Sequence, residues 1–210
     1  CDRELRDAAE TIFRAWRYGV DAFIVADIGL ASYVHTVCPE IELHASTQAT
    51  GLNVLSADEL KKIGFSRMVA PREISKRDLE ILVKNSPIET ELFIHGAICV
   101  SCSGQCLMSS VIGGRSGNRG ECAQPCRLPY GKNGYALSLK DMCLAEHLTE
   151  LSEMGVASLK IEGRMKAPEY VYGVTKIYRT LLDESRNAGE KEIAELSALF
   201  SRSGFTCGYY

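Results

Sequence analysis

Phe65-Ser66-Arg67-Met68-Val69-Ala70-Pro71-Arg72-Glu73-Ile74-Ser75-Lys76-Arg77-Asp78-Leu79-Glu80-Ile81-Leu82-Val83-Lys84 is the stretch that decides the fold. Phe65–Ala70 is a short, mostly apolar run of the kind that forms a buried strand. Ser75 is placed to cap a helix over Ser75–Lys84, and Thr90–Ile94 reads as the next strand. The alternation extends both ways. Upstream, Leu5, Ala8, Ala9, Ile12, Phe13 and Trp16 recur at helical spacing. Ala22–Ala26 reads as a strand, Gly29–Val37 as a helix closed by Pro39, Ile41–Ala45 as a strand and Asn53–Ile63 as a helix stopped by Gly64. Downstream, Tyr135–Leu139 is expected as a strand, Asp141–Met154 as a helix, and Ala157–Ile161 as a strand. Pro168–Asp183, with proline in its first turn, and Glu190–Phe200 are the last expected helices.

Apolar strands alternating with amphipathic helices imply a parallel sheet covered by helices. An open doubly wound sheet competes with a closed barrel. No glycine-rich dinucleotide fingerprint follows the first strand, which favours the barrel. A complete barrel takes eight units in roughly 250 residues. The expectation is therefore an α/β, TIM-like (β/α) barrel truncated at its N-terminus. The chain opens on Cys1 instead of Met and ends at Tyr209-Tyr210 without a polar tail, so it is read as a piece of a longer protein. Residues 1–186 are expected to form the partial barrel and 187–210 to begin a C-terminal extension.

The chain has 210 residues, 46% hydrophobic and 24% charged, ordinary values for a globular protein. No apolar run approaches the roughly 20 residues needed to cross a bilayer, and no signal peptide is visible. A cytoplasmic location without membrane attachment is the expectation. A net charge of −3 excludes a chain that coats nucleic acid by bulk charge. The cysteine count is nine, an odd number without a secretory signal, which argues against a disulfide framework and for metal binding.

Segment 96–134 breaks the alternation. It is rich in Gly, Ser and Cys, with one short helical stretch near Leu107–Ile112. Within it lie Cys99-x6-Cys106-x15-Cys122-x3-Cys126. Thiolates are soft ligands that suit iron–sulfur clusters or zinc. Structural zinc sites favour two close cysteine pairs; here Cys122 and Cys126 form one, and Cys99-x2-Cys102 keeps a second pair open. Cys38, Cys143 and Cys207 read as small core residues. His95 precedes Cys99 by four residues, so a Cys–His nucleophile of a thiol protease is a further alternative. The same segment carries Arg115, Arg119, Arg127 and Lys132 against the single acid Glu121, a basic patch suited to a polyanion.

In a barrel, functional groups gather at the C-terminal ends of strands. Those ends here carry Asp27; His44, Ser46 and Gln48; Arg72 and Glu73; His95; and Glu162 and Arg164. His95 and His44 are candidates for proton transfer, because histidine titrates near neutral pH.

The stretch Glu91-Leu92-Phe93-Ile94-His95-Gly96-Ala97-Ile98-Cys99-Val100-Ser101-Cys102-Ser103-Gly104-Gln105-Cys106 resembles the signature of peptidase family U32, the collagenase-like proteins. Gly113-Gly114-Arg115-Ser116-Gly117-Asn118-Arg119-Gly120-Glu121-Cys122-Ala123-Gln124-Pro125-Cys126-Arg127 extends the likeness. So do Lys160-Ile161-Glu162-Gly163-Arg164-Met165-Lys166 and Phe200-Ser201-Arg202-Ser203-Gly204-Phe205-Thr206. The resemblance implies a TIM-like barrel and an oxygen-independent hydroxylase of a pyrimidine in RNA. The loop wording is most similar to the subgroup acting on a ribosomal cytidine, with a transfer-RNA uridine next. It implies a [4Fe-4S] cluster on Cys99, Cys106, Cys122 and Cys126, and prephenate as co-substrate. Where the family commonly has an aromatic residue, this chain has Cys102.

With that implied chemistry, Arg72, Lys160 and Arg164 are expected to hold the donor's carboxylates, with Gln48 and Asp27 beside them. Glu162 joins His95 and His44 as a catalytic candidate. Arg115, Arg119 and Arg127 are expected on RNA phosphates, and an electron-donor protein is a further expected partner. Peptide cleavage, as the family name says, and hydroxylation of a ubiquinone precursor are the alternatives.

Overall fold

The computed structural model describes residues 2–163 and 165–210. The elements run α1 (Asp2–Arg17), β1 (Ala22–Val25), α2 (Ile28–Val37), β2 (Glu42–Ala45), α3 (Val54–Ile63), β3 (Phe65–Val69), α4 (Lys76–Asn85) and β4 (Glu89–Ala97). They continue with α5 (Met108–Gly113), β5 (Asp141–Cys143), α6 (Leu148–Met154), β6 (Ser158–Ile161), α7 (Pro168–Asp183), α8 (Glu190–Leu199) and β7 (Phe205–Thr206).

Local chemistry sets several boundaries. Ser75 accepts a hydrogen bond from the Asp78 amide at 3.1 Å and so caps α4. Asn53 and Ser56 cap each other at the start of α3, and Pro168 occupies the first turn of α7. The strands then assemble by burial. β4, whose residues Thr90–Gly96 are all buried, is the spine of the sheet. β1, β2, β3 and β4 lie side by side in parallel. β4 also pairs in parallel with β6 through Glu91–His95, and antiparallel with β5 through His95–Ala97. β7 adds to β5. Leu43, Met68, Leu79, Leu82, Ile94, Leu148, Leu151 and Leu181 fill one continuous core, to which Leu196 of α8 also belongs.

The α/β class and the mostly parallel sheet are as expected, but the sheet is open, not closed into a barrel. Closure needs a full set of tilted strands with matched stagger. The seven-stranded sheet has one antiparallel pairing, β4 with β5, so β5 and the two-residue β7 run against the other five strands, and its order runs out at β1 and β7. Two further expectations fail after the cysteine segment. Tyr135–Leu139 is turn and irregular chain with Tyr135 66% exposed, because no strand lies beside it to pair. Asp141–Met154 is not one helix: Asp141–Cys143 is drawn into the sheet against β4, and regular helix starts only at Leu148. Tertiary pairing here overrides a helical pattern. Among the described residues no helix is long and apolar enough to cross a membrane.

Candidate functional site

Between β4 and β5 the chain leaves the sheet, crosses the C-terminal ends of β1, β2, β3 and β6, and returns. A cavity of about 300 Å³ lies beneath this excursion. Its wall joins strand-end residues Gln48, Arg72, Phe93, Lys160 and Glu162 to the thiols of Cys99, Cys102, Cys106, Cys122 and Cys126. Sequence positions more than a hundred residues apart thus meet at one mouth.

The covering loop is tied to the strand ends by specific bonds. The Glu73 carboxylate accepts from the Ser103 amide at 2.7 Å and from the Ser103 hydroxyl at 2.9 Å. Gln48 donates through Nε2 to the Gly117 carbonyl at 3.2 Å, and Gln105 donates to the Thr50 hydroxyl at 2.9 Å. Gly104 has φ +78°, and a Cβ there would come within 3.0 Å of the Gln48 backbone, so only glycine allows the loop to sit this low. Arg127 fixes the far foot: its guanidinium donates to the carbonyls of Ile98 and Leu139, both at 2.6 Å, and to the Ser138 hydroxyl.

The thiols sense one another. Burial pushes the Cys126 thiol up; Arg127 opposes that, and Cys99, Cys122 and Cys106 add to it. Gln124 adopts φ 55°, and its amide donates to Cys122 Sγ at 3.3 Å. An all-thiolate set with a backbone N–H aimed at sulfur suits a soft, anionic metal group. The five cysteines line one cavity. Among the described residues no group of three or more His, Cys, Asp or Glu is gathered tightly enough for a single ion. Cys102, exposed like Cys99, is a fifth thiol on the same wall.

Arg72 and Lys160 flank the Phe93 ring, at 3.7 and 5.5 Å from its centroid. Neither cation is without a carboxylate. Arg72 Nη2 donates to Glu162 Oε2 at 2.9 Å, and Lys160 Nζ to Glu91 Oε1 at 2.7 Å. Burial pushes the Arg72 guanidinium down, while Glu162 and Cys99 push it back. Phe93 was not singled out from the sequence, where it is one apolar residue in a strand; only its position over the cavity marks it.

Other expected site residues lie elsewhere. His95 is 2% exposed and sits in an aromatic cage, with ring centroids of Phe205, Tyr178 and Tyr170 at 5.4, 5.5 and 6.1 Å. Its Nδ1 is 3.2 Å from the Tyr178 hydroxyl, its Nε2 is buried without a hydrogen-bond partner, and burial pushes it down to about 4. It faces neither the cavity nor Cys99, so the Cys99–His95 pairing is not formed. His44 is buried against Glu42, Nε2 to Oε1 2.9 Å, and Asp27 caps α2 by accepting from the Leu30 amide at 2.7 Å. Arg119 pairs with Glu4 at 2.7 Å, and Arg127 is spent on the loop backbone. Arg115 stands exposed on the loop. Arg164 lies outside the described residues.

Comparison with known proteins gives a consistent picture. The family model described as Peptidase family U32 matches residues 1–210. The chain is 41% identical over 192 residues to the 23S rRNA 5-hydroxycytidine C2501 synthase of Escherichia coli, covering 87% of this chain and 29% of that protein. It is 35% identical over 230 residues to the tRNA hydroxylation protein P of Helicobacter pylori, covering 98% of this chain and 54% of the relative. A collagenase of Porphyromonas gingivalis is 30% identical over 240 residues, covering 100% of this chain and 56% of the relative. The chain thus spans about half the length, or less, of these curated relatives. No solved structure matches it.

Proposed function

The chain belongs to peptidase family U32, and from that premise we propose that it is the cofactor-binding body of an enzyme that hydroxylates a pyrimidine in RNA. The observation that carries this reading is the convergence of Cys99, Cys106, Cys122 and Cys126 on one cavity with Arg72, Lys160 and Glu162. The relatives named for rRNA and tRNA hydroxylation supply the substrate class. A ribosomal cytidine is favoured over a transfer-RNA uridine, because the rRNA synthase is 41% identical and the H. pylori tRNA protein 35%.

Cys99, Cys106, Cys122 and Cys126 would hold a [4Fe-4S] cluster, which supplies electron transfer or Lewis acidity when bound. Zinc has no redox chemistry to offer a hydroxylation, which favours the cluster over zinc.

The chain's own groups do the rest. Arg72 and Lys160 bracket Phe93 and offer two fixed cations to a small dicarboxylate such as prephenate, which would displace their contacts to Glu162 and Glu91. The Phe93 ring between them gives the donor's hydrocarbon part an apolar seat. Glu162, a carboxylate on the cavity wall beside Arg72, is placed to take a proton. Arg115 and Lys132 are exposed loop cations open to an RNA phosphate, whereas Arg119 and Arg127 are engaged within the chain.

The test is a deletion strain complemented with wild-type or Cys106→Ser protein. Iron and sulfide are counted on the purified proteins, and nucleosides of ribosomal and transfer RNA are read by mass spectrometry. Loss of iron and of one hydroxylated pyrimidine in Cys106→Ser is expected. Full iron content and intact modification in that variant would refute the assignment.

A further inference from the structure

Away from the cavity, beside α4 and α6, the fold assembles a second group of reactive side chains that the sequence scatters. Cys207 follows β7 and places Sγ 3.6 Å from His147 Nε2. The other ring nitrogen, Nδ1, lies 3.6 Å from Glu150 Oε2. Glu150 is itself held in place: Tyr210 donates to Oε2 at 2.8 Å and Lys76 to Oε1. The Tyr210 ring packs edge-on against the imidazole, centroids 5.1 Å apart.

This geometry selects a tautomer. A proton on Nδ1 faces the Glu150 carboxylate, and the lone pair on Nε2 then faces the thiol. The bonds from Lys76 and Tyr210 hold the Glu150 carboxyl below the usual carboxylate range, so it stays an anion near neutral pH. Thiol, imidazole and carboxylate are in the order that activates a nucleophile: a base on the sulfur and an acid anion orienting the base. Cys38, likewise half-buried, provides the contrast. Its Sγ donates to Glu40 Oε2 at 3.2 Å, so it keeps its proton on a carboxylate's behalf.

We propose that Cys207, His147 and Glu150 form a nucleophilic thiol site that exchanges with small disulfides. The Cys207 proton passes to His147 Nε2. The sulfur attacks one sulfur of a low-molecular-weight disulfide, the S–S bond of that reagent breaks, and a mixed disulfide forms on Cys207. The leaving thiolate takes the proton back from His147. The reagent's disulfide is the oxidant, and one of its halves leaves as the reduced thiol. The site is partly open, with the His147 side chain 33% exposed, which suits a small reagent. Cys207 also terminates the β7 strand that borders β5, so an adduct there marks the edge of the sheet.

The test treats the purified protein with iodoacetamide at pH 7 and times each cysteine by peptide mass spectrometry. Free thiols carry only a few per cent thiolate at this pH, so activation raises the rate by roughly ten-fold. Cys207 is expected to label about that much faster than Cys38. His147→Ala is expected to remove the advantage, with Cys38 unchanged, and added imidazole to restore it. Glu150→Gln, which leaves the base but loosens its orientation, slows Cys207 less. Oxidised glutathione is expected to add a mixed disulfide to Cys207 in the wild type and not in His147→Ala. If His147→Ala perturbs folding, seen as faster Cys38 labelling, His147→Phe keeps the ring packed on Tyr210 and is judged by the same ratio. Equal Cys207 rates with and without the imidazole, or no rescue by added imidazole in a folded variant, overturn the proposal.

Discussion

His95 shows how a residue at a strand end can lie apart from the cavity that its neighbours line. Strict alternation along β4 puts residues 93 and 95 on one side of the sheet, so a polar residue there reads as a mouth residue. The register slips between Phe93 and His95, and the imidazole turns into the cage of Tyr170, Tyr178 and Phe205. A bulge of this kind leaves no mark in residue type. The cage makes a titration prediction. The folded value is pushed down to about 4, against about 6.5 for a free imidazole. Between those values the unfolded chain binds more protons than the folded one, so stability falls as pH drops from 6.5 to 4 and the His95 contribution levels off below that. The difference amounts to about 3 kcal/mol. Urea midpoints across this range are expected to decline in the wild type and to decline less in His95→Phe. Parallel curves would show that the cage does not exclude the cation. Tyr178 still donates to the Ile94 carbonyl at 3.2 Å without the histidine, so His95→Phe is expected to fold.

At the scale of elements, the loop between β4 and β5 was legible as a cysteine-bearing insertion because its composition departs so sharply from its surroundings. Its ties were not. Glu73 is one polar residue after a strand, and nothing in its sequence context announces two bonds to Ser103 thirty positions on. Arg127 looked like part of a basic patch, and it clamps backbone carbonyls instead. Arg127→Lys is expected to destabilise the loop nearly as much as Arg127→Ala, because an ammonium cannot span two carbonyls as a guanidinium fork does. Limited proteolysis between residues 98 and 140 reads this directly. If both variants resist protease like the wild type and lose only RNA affinity, the arginine belongs to the RNA surface after all. The junction of β4 and β6 is equally exacting. Gly96 has φ +109°, and a Cβ there would lie 2.8 Å from Glu162 Cβ. Gly96→Ala is expected to cost on the order of 2 kcal/mol or more and to lower the thermal midpoint, with Glu162 displaced from Arg72.

Across the whole molecule, Glu91 ties the centre of the sheet together. It is 6% exposed and accepts from Lys160 of β6 at 2.7 Å and from Ser158 at 2.9 Å, with Arg67 of β3 at 3.7 Å. Burial raises its carboxyl, but Lys160, Ser158 and Arg67 outweigh burial and hold it below the usual range. Its stabilising contribution is complete above the ordinary carboxylate pKa and disappears as pH falls through the depressed one. Glu91→Gln leaves Lys160 facing a neutral amide, while Arg67 keeps Glu89, and is expected to cost roughly 3 kcal/mol at pH 7. The gap in melting temperature from wild type should narrow once the solution is acid enough to protonate the native carboxyl; a gap constant from pH 7 to pH 2 would deny the pair its electrostatic role. The strand and helix units before the cysteine segment were readable from the hydrophobic period, whereas the strand at Asp141–Cys143 was not. Nor was the openness of the sheet, because closure depends on strand tilt and stagger that no local pattern encodes.

The antiparallel pairing of β4 with β5 carries one more consequence. The strands that leave and re-enter the sheet are immediate neighbours, so the feet of the intervening segment stand only about 5 Å apart. Residues 98–140 can therefore be replaced by a tight hairpin connector without asking any framework strand to move. On the cluster assignment proposed above, such a shortened chain is expected to keep a cooperative melt of its sheet and to take up no iron, so that scaffold and chemistry would be separable parts of one gene product.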